Sequence, residues 1–116
     1  IIYIDFEYFG WDDPVKLIAD VSHHAAFELS SEQEQLWLNG CIKIYGYSVL
    51  ERYKTAWPLY GLIWCLIILN EYNSTLWNRR TEANNLLKDK KDEILHVQLK
   101  KAEKQLNRVL ERYDKI

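Results

Sequence analysis

The spacing of apolar residues changes once along this chain, near its start, and the change separates a strand from the helices that follow. Ile1 to Ile4 is a continuous β-branched and aromatic run, the pattern of a short buried strand. Asp5 and Glu7 follow two residues apart, a spacing that aims both carboxylates to one side. From Pro14 onward the period is helical. Asp12 or Asp13 can cap a first helix with Pro14 in its first turn, where a missing N–H costs nothing. Val15, Ile18, Ala19 and Val21 supply its apolar face until it frays near His23 and His24. Ser30 or Ser31 caps a second helix with Glu32 and Glu34 at its positive end, and Leu36, Trp37, Ile42 and Ile44 carry it toward Gly46.

A third helix is expected from Ser48 through Val49, Leu50 and Tyr53 into Ala56 to Leu69, a segment without a single charge. A membrane span needs about 20 apolar residues. This segment is shorter and contains Pro58 and Gly61, so it reads as the central core helix, kinked or restarted at Pro58. Being apolar on every face, it is expected to be covered all round by at least four helices packed about Leu62, Ile63, Leu66 and Ile67. After the run from Asn70 to Thr75 the composition turns to Lys, Glu, Asp and Asn, the signature of solvated helix. Within it Leu95, Leu99, Ala102, Leu106, Val109 and Tyr113 alternate spacings of four and three and form one apolar stripe. Two readings of that stripe stand: it docks on its own domain, or it is the seam of a homodimer. No repeat or low-complexity linker interrupts the pattern, so residues 1–116 are expected to form a single, mainly α domain: a short N-terminal strand followed by a helical bundle.

Composition narrows the function. With 116 residues, 48% of them hydrophobic, the chain can bury a core. Fifteen basic against seventeen acidic residues give a formal net charge of -2, which disfavours nucleic acid and anionic membrane as partners. Cys41 and Cys65 sit in apolar sequence and read as inert core thiols of a reduced, cytoplasmic protein. The chain has no Met and opens inside the expected strand, so it reads as a piece of something longer.

Asp5-Phe6-Glu7-Tyr8, Gly10 two residues later, and Asp13-Pro14 opening a helix together resemble the magnesium-binding segment of the aminoglycoside phosphotransferase and choline kinase-like family, which has the protein-kinase-like fold. Trp64 to Glu71, Arg79-Arg80 and Gln98 to Ala102 are similar to the C-terminal helices of its bacterial members, so the resemblance spans nearly the whole chain. It implies the C-terminal lobe of a kinase-like phosphotransferase, with ATP, magnesium and a small-molecule acceptor as ligands. Asp5 then stands where the kinase Asp-Phe-Gly aspartate holds magnesium against the β- and γ-phosphates. A hard cation that keeps several waters needs only one or two carboxylates beside phosphate oxygens. Glu7 is implied as an acid behind the metal ligand or a contact to a cationic substrate.

The sequence departs from the family in three places. Leu17 stands near the position where many members carry an Asp after Asp-Pro, and no His-Gly-Asp segment followed by an Asn occurs anywhere. The Gly-rich loop and nucleotide lysine are also absent, so the resemblance implies that this chain alone is inactive. Trp57, Tyr60 and Trp64, at helical spacing, are either an aromatic wall for a cationic or sugar substrate or simply core. His23 and His24 point about 100° apart on a helix and are expected at or near the surface, not on one metal. Asn73-Ser74-Thr75 matches a glycosylation sequon and is assigned no role. A second class of function remains alongside the kinase reading: a non-catalytic interaction module that pairs through its long final helix.

Overall fold

The computed structural model describes residues 10–113, and the expected strand at Ile1–Ile4, with Asp5 and Glu7, lies outside the described residues. The described residues are mainly helical and contain no strand. Five α-helices follow one another: α1 (Pro14–His23), α2 (Ser31–Tyr45), α3 (Ser48–Ile68), α4 (Ser74–Ala83) and α5 (Lys91–Tyr113), with 3-10 turns at Leu69–Tyr72 and Asn85–Lys90 on either side of α4.

Local chemistry sets the helix ends. Asp13 caps α1, its Oδ1 accepting from the Val15 N–H at 2.9 Å, and Pro14 opens the helix. At α2, Ser30 Oγ accepts from the Gln33 N–H at 3.2 Å while Gln33 Oε1 accepts from the Ser30 N–H at 2.8 Å, a reciprocal capping box. Gly46 ends α2 at φ 88°, a left-handed conformation that favours glycine. α3 runs as one helix through Pro58, so the chain does not restart there. Asn73 has a structural role that the sequon match did not suggest: its side chain caps α4 by accepting from the N–H groups of Thr75 and Leu76.

α3 is the axis of the fold, with α1 packed along one flank and α5 along another. α5 runs antiparallel to α3: Gly61 meets Val109, Cys65 lies by the Ala102 carbonyl, and the Tyr72 hydroxyl in the following turn donates to the Leu95 carbonyl at 2.9 Å. α2 joins through Trp37, whose indole N–H donates to the Ile18 carbonyl at 3.2 Å. The core consists of Val15, Ile18 and Ala19 of α1, Cys41 of α2, Val49, Tyr53 and Trp57 of α3, and Val109 of α5. Both cysteines are free and buried, and burial pushes both thiols up from their ordinary range. None of the described helices is long and apolar enough to cross a membrane.

Two expectations about the core fail. Leu62, Ile63, Leu66 and Ile67 are not its centre but are exposed, Leu66 at 68%. Among the described residues only one side of α3 is covered, the side of Val49, Tyr53, Trp57, Gly61, Cys65 and Ile68, because α1 and α5 both pack there. The stripe of α5 is also rotated from its expected position. Ala102, Gln105 and Val109 are buried, whereas Leu99, Leu106 and Tyr113 face solvent. Gln105 and the arginines beside it have partners on α1 and α2 that are wholly or partly buried, and those contacts turn the helix away from its most hydrophobic face.

Candidate functional site

Asp5 and Glu7 lie outside the described residues, so the nearest described chemistry is at the start of α1. Asp12 and Asp13 are exposed there, and Asp13 also pairs with Arg52 of α3. One turn on, Lys16 pairs with Asp20, whose Oδ1 accepts from the Trp64 indole N–H at 3.0 Å. Tyr60 is half-buried beside them. Burial first, and then the negative charges of Asp12 and Asp13, hold its hydroxyl above the usual tyrosine range. The seam between α1 and α3 thus presents two aromatic rings, Tyr60 and Trp64, next to three carboxylates.

That patch does not amount to a metal centre. Asp13 and Asp20 are already engaged, and among the described residues no three His, Cys, Asp or Glu side chains converge on a point that could hold an ion.

The expected trio of aromatic residues divides. Tyr60 and Trp64 keep partial exposure on the seam, but Trp57 is 1% exposed. The His23 ring lies 4.3 Å from its centroid and the Arg112 guanidinium 4.1 Å, so its ring is covered by protein. Its indole N–H is buried without a partner.

His23 corrects the expectation of a surface or lightly buried histidine: it is 2% exposed, with both ring nitrogens engaged. Its Nε2 lies 2.9 Å from the Trp57 carbonyl, which can only accept, so Nε2 carries the proton. In the neutral ring Nδ1 must then accept, and Gln105 Nε2 donates to it at 2.7 Å. Burial above all, with the cations Arg108 and Arg112 adding to it against the opposing bond to Trp57, lowers the pKa to about 4. Room for the ring exists because residue 61 is glycine: a Cβ there would lie 2.9 Å from His23 Cε1 and 2.3 Å from Val109 Cγ2. The sequence signal for this arrangement was a lone glycine in an otherwise bulky apolar helix.

Around this knot Arg108 donates to the Ser22 carbonyl at 2.8 Å and pairs with Glu34, which Arg112 also reaches at 3.3 Å. Glu34 therefore ties α2 to α5 and, through Arg108, to the end of α1. His24 remains half-buried, stacked on Phe27 at 4.8 Å and 4.9 Å from Trp64. A cleft of about 320 Å³ opens there between the loop after α1 and α5, lined by His24, Phe27, Ile68, Lys101, Lys104 and Arg108. It lies at the far end of α1 from Asp13, about 15 Å along a ten-residue helix. A second groove, about 380 Å³ and mostly apolar, runs between α1 and α2 past Leu17, Leu36, Trp37 and Ile44.

No protein-family model, no curated protein and no solved structure matches the chain.

Proposed function

We propose that this chain is the C-terminal helical part of an ATP-dependent small-molecule phosphotransferase, a kinase acting on the alcohol group of an aminoglycoside, choline or ethanolamine, or a sugar. The observation that supports it is the run from Ile4 to Tyr8 followed by Asp12-Asp13-Pro14, with a helix that starts at Pro14 on an Asp13 cap, as the resemblance requires. In this reading an N-terminal strand carries Asp5, which supplies the carboxylate for magnesium, with Glu7 behind it or toward a cationic acceptor. Tyr60 and Trp64, beside Asp12 and Asp20, suit the cationic or sugar acceptor, while Trp57 supports them from the core. The nucleotide loop and general base come from another segment. The protein is cytoplasmic and binds neither nucleic acid nor membrane.

The reading is tested in a polypeptide joining this segment to a nucleotide lobe and catalytic loop, by following ADP release with amino alcohols and sugars. Asp5→Asn should lower turnover by about 10²-fold or more, the scale of losing one charged transition-state contact, with helical circular dichroism unchanged. Turnover that survives Asp5→Asn would remove Asp5 from the metal site. No phosphoryl transfer to any acceptor would favour the second reading, a non-catalytic interaction module, for which the uncovered face of α3 is the supporting observation.

A further inference from the structure

We propose that the outer face of α3, together with the adjoining edge of α5, is the contact surface of a homodimer of this chain. Leu59, Leu62, Ile63 and Leu66 fall at i, i+3, i+4 and i+7, a single helical face, and all four are exposed opposite the side that packs on α1 and α5. On α5, the Val109 side chain and the Ala102 carbonyl lie against α3, whereas Gln105 and Arg108 reach α1 at His23 and Ser22. Those two directions fix the rotation of the helix. Leu99, Leu106 and Leu110 must then lie on the flank away from α1, beside Leu62 and Leu66. The two rows form one surface.

Its size suits a dimer. These seven side chains expose roughly 700 Å² of apolar surface, near the ~800 Å² that each partner gives to a standard interface and above the few hundred usual on a monomer.

A second copy fits because a two-fold contact sets a patch against itself, so any net charge on it repels its own image. Residues 55–70 carry no charge, and the α5 edge is flanked by Lys100 and Glu103, one of each sign. The contact does not depend on the phosphotransferase reading.

Sedimentation equilibrium of the chain at roughly 100 µM should give twice its 13.9 kDa, and its Tm should rise with concentration. Leu62→Glu with Leu66→Glu should give the single-chain mass and a concentration-independent Tm, with helical circular dichroism retained. Leu106→Glu with Leu110→Glu tests the α5 edge independently of whether the first pair folds, and should also dissociate the dimer. Leu36→Glu, in the separate α2 groove, should leave it intact. A wild-type mass of 13.9 kDa, polydisperse larger assemblies, a dimer that survives either double substitution, or one dissolved by Leu36→Glu would each overturn the proposal.

Discussion

Gly61→Ala sets two effects of opposite sign against each other at the point where three helices meet. Replacing a mid-helix glycine by alanine ordinarily stabilises a helix by about 1 kcal/mol, since glycine loses more backbone entropy on folding. Here the new methyl would sit 2.3 Å from Val109 Cγ2 and 2.9 Å from His23 Cε1, where carbon atoms need about 3.5 to 4.0 Å. Neither neighbour can retreat easily. His23 is held at both ring nitrogens, and Val109 is 3% exposed within the core. Overpacking of this kind costs about 1 to 3 kcal/mol in ordinary cores, and α5 has to move by more than an ångström, so the upper end applies and a net loss of about 2 kcal/mol remains. Urea unfolding followed by tryptophan fluorescence measures it as a lower midpoint at unchanged slope. Adding Val109→Ala removes the closest atom, so the double variant should be more stable than the sum of the two single effects by about 1 kcal/mol. A Gly61→Ala protein as stable as the parent, or a strictly additive pair, would refute the close approach of α5 to α3.

His23 makes stability depend on pH with a definite sign. Its folded pKa, about 4, lies below the ordinary 6.5, so the unfolded chain takes up the proton first. The histidine's contribution is complete above about pH 6.5 and is lost as pH falls toward 4, by up to about 3 kcal/mol. His23→Gln cannot titrate, so it should show a smaller fall in urea midpoint between about pH 7 and pH 4.5; an identical fall would place the acid sensitivity elsewhere. Trp57→Ala should cost about 3 to 5 kcal/mol, because a fully buried ring leaves a cavity. Trp64→Ala should cost less, about 1 to 2 kcal/mol, since that ring is only half-buried and chiefly loses its bond to Asp20; equal losses at the two positions in thermal melts would refute the division of the aromatic trio. The isolated chain should phosphorylate no small molecule, and ATP-dependent transfer by purified 116-residue protein would contradict the need for a separate nucleotide loop and base.

What was legible in the sequence follows the range of the interactions that decide it. Asp13 before Pro14, Ser30 three residues before Gln33, and Gly46 after Tyr45 act within one helical turn, and each marks a helix end where the pattern placed it. The burial of His23 depends on Trp57, Gly61 and Gln105, between 34 and 82 residues away, so nothing beside His23 in the sequence announces it and the lone glycine at position 61 is its one distant sign. The residues expected to carry the chemistry, Asp5 and Glu7, lie outside the described residues, and of the expected acceptor wall only Tyr60 and Trp64 remain accessible.

The failure at α3 has a more general cause. Hydrophobic periodicity tells a helix which face to bury only when one face is polar, and α3 between Thr55 and Asn70 offers no such choice. Fit decides instead. The buried side carries Gly61 and Cys65, which meet Val109 and Ala102 of α5, so the two backbones approach closely there and leave His23 and Trp57 to fill the space alongside. The outer side carries Leu59, Leu62, Ile63 and Leu66, whose bulk would hold a neighbouring helix farther away. Close packing therefore takes the face that has a small-residue notch at Gly61 and Cys65 between Trp57 and Ile68, and leaves the uninterrupted aliphatic surface in water. That surface retains most of the transfer free energy still available to the helix, which is the physical reason to expect association through α3.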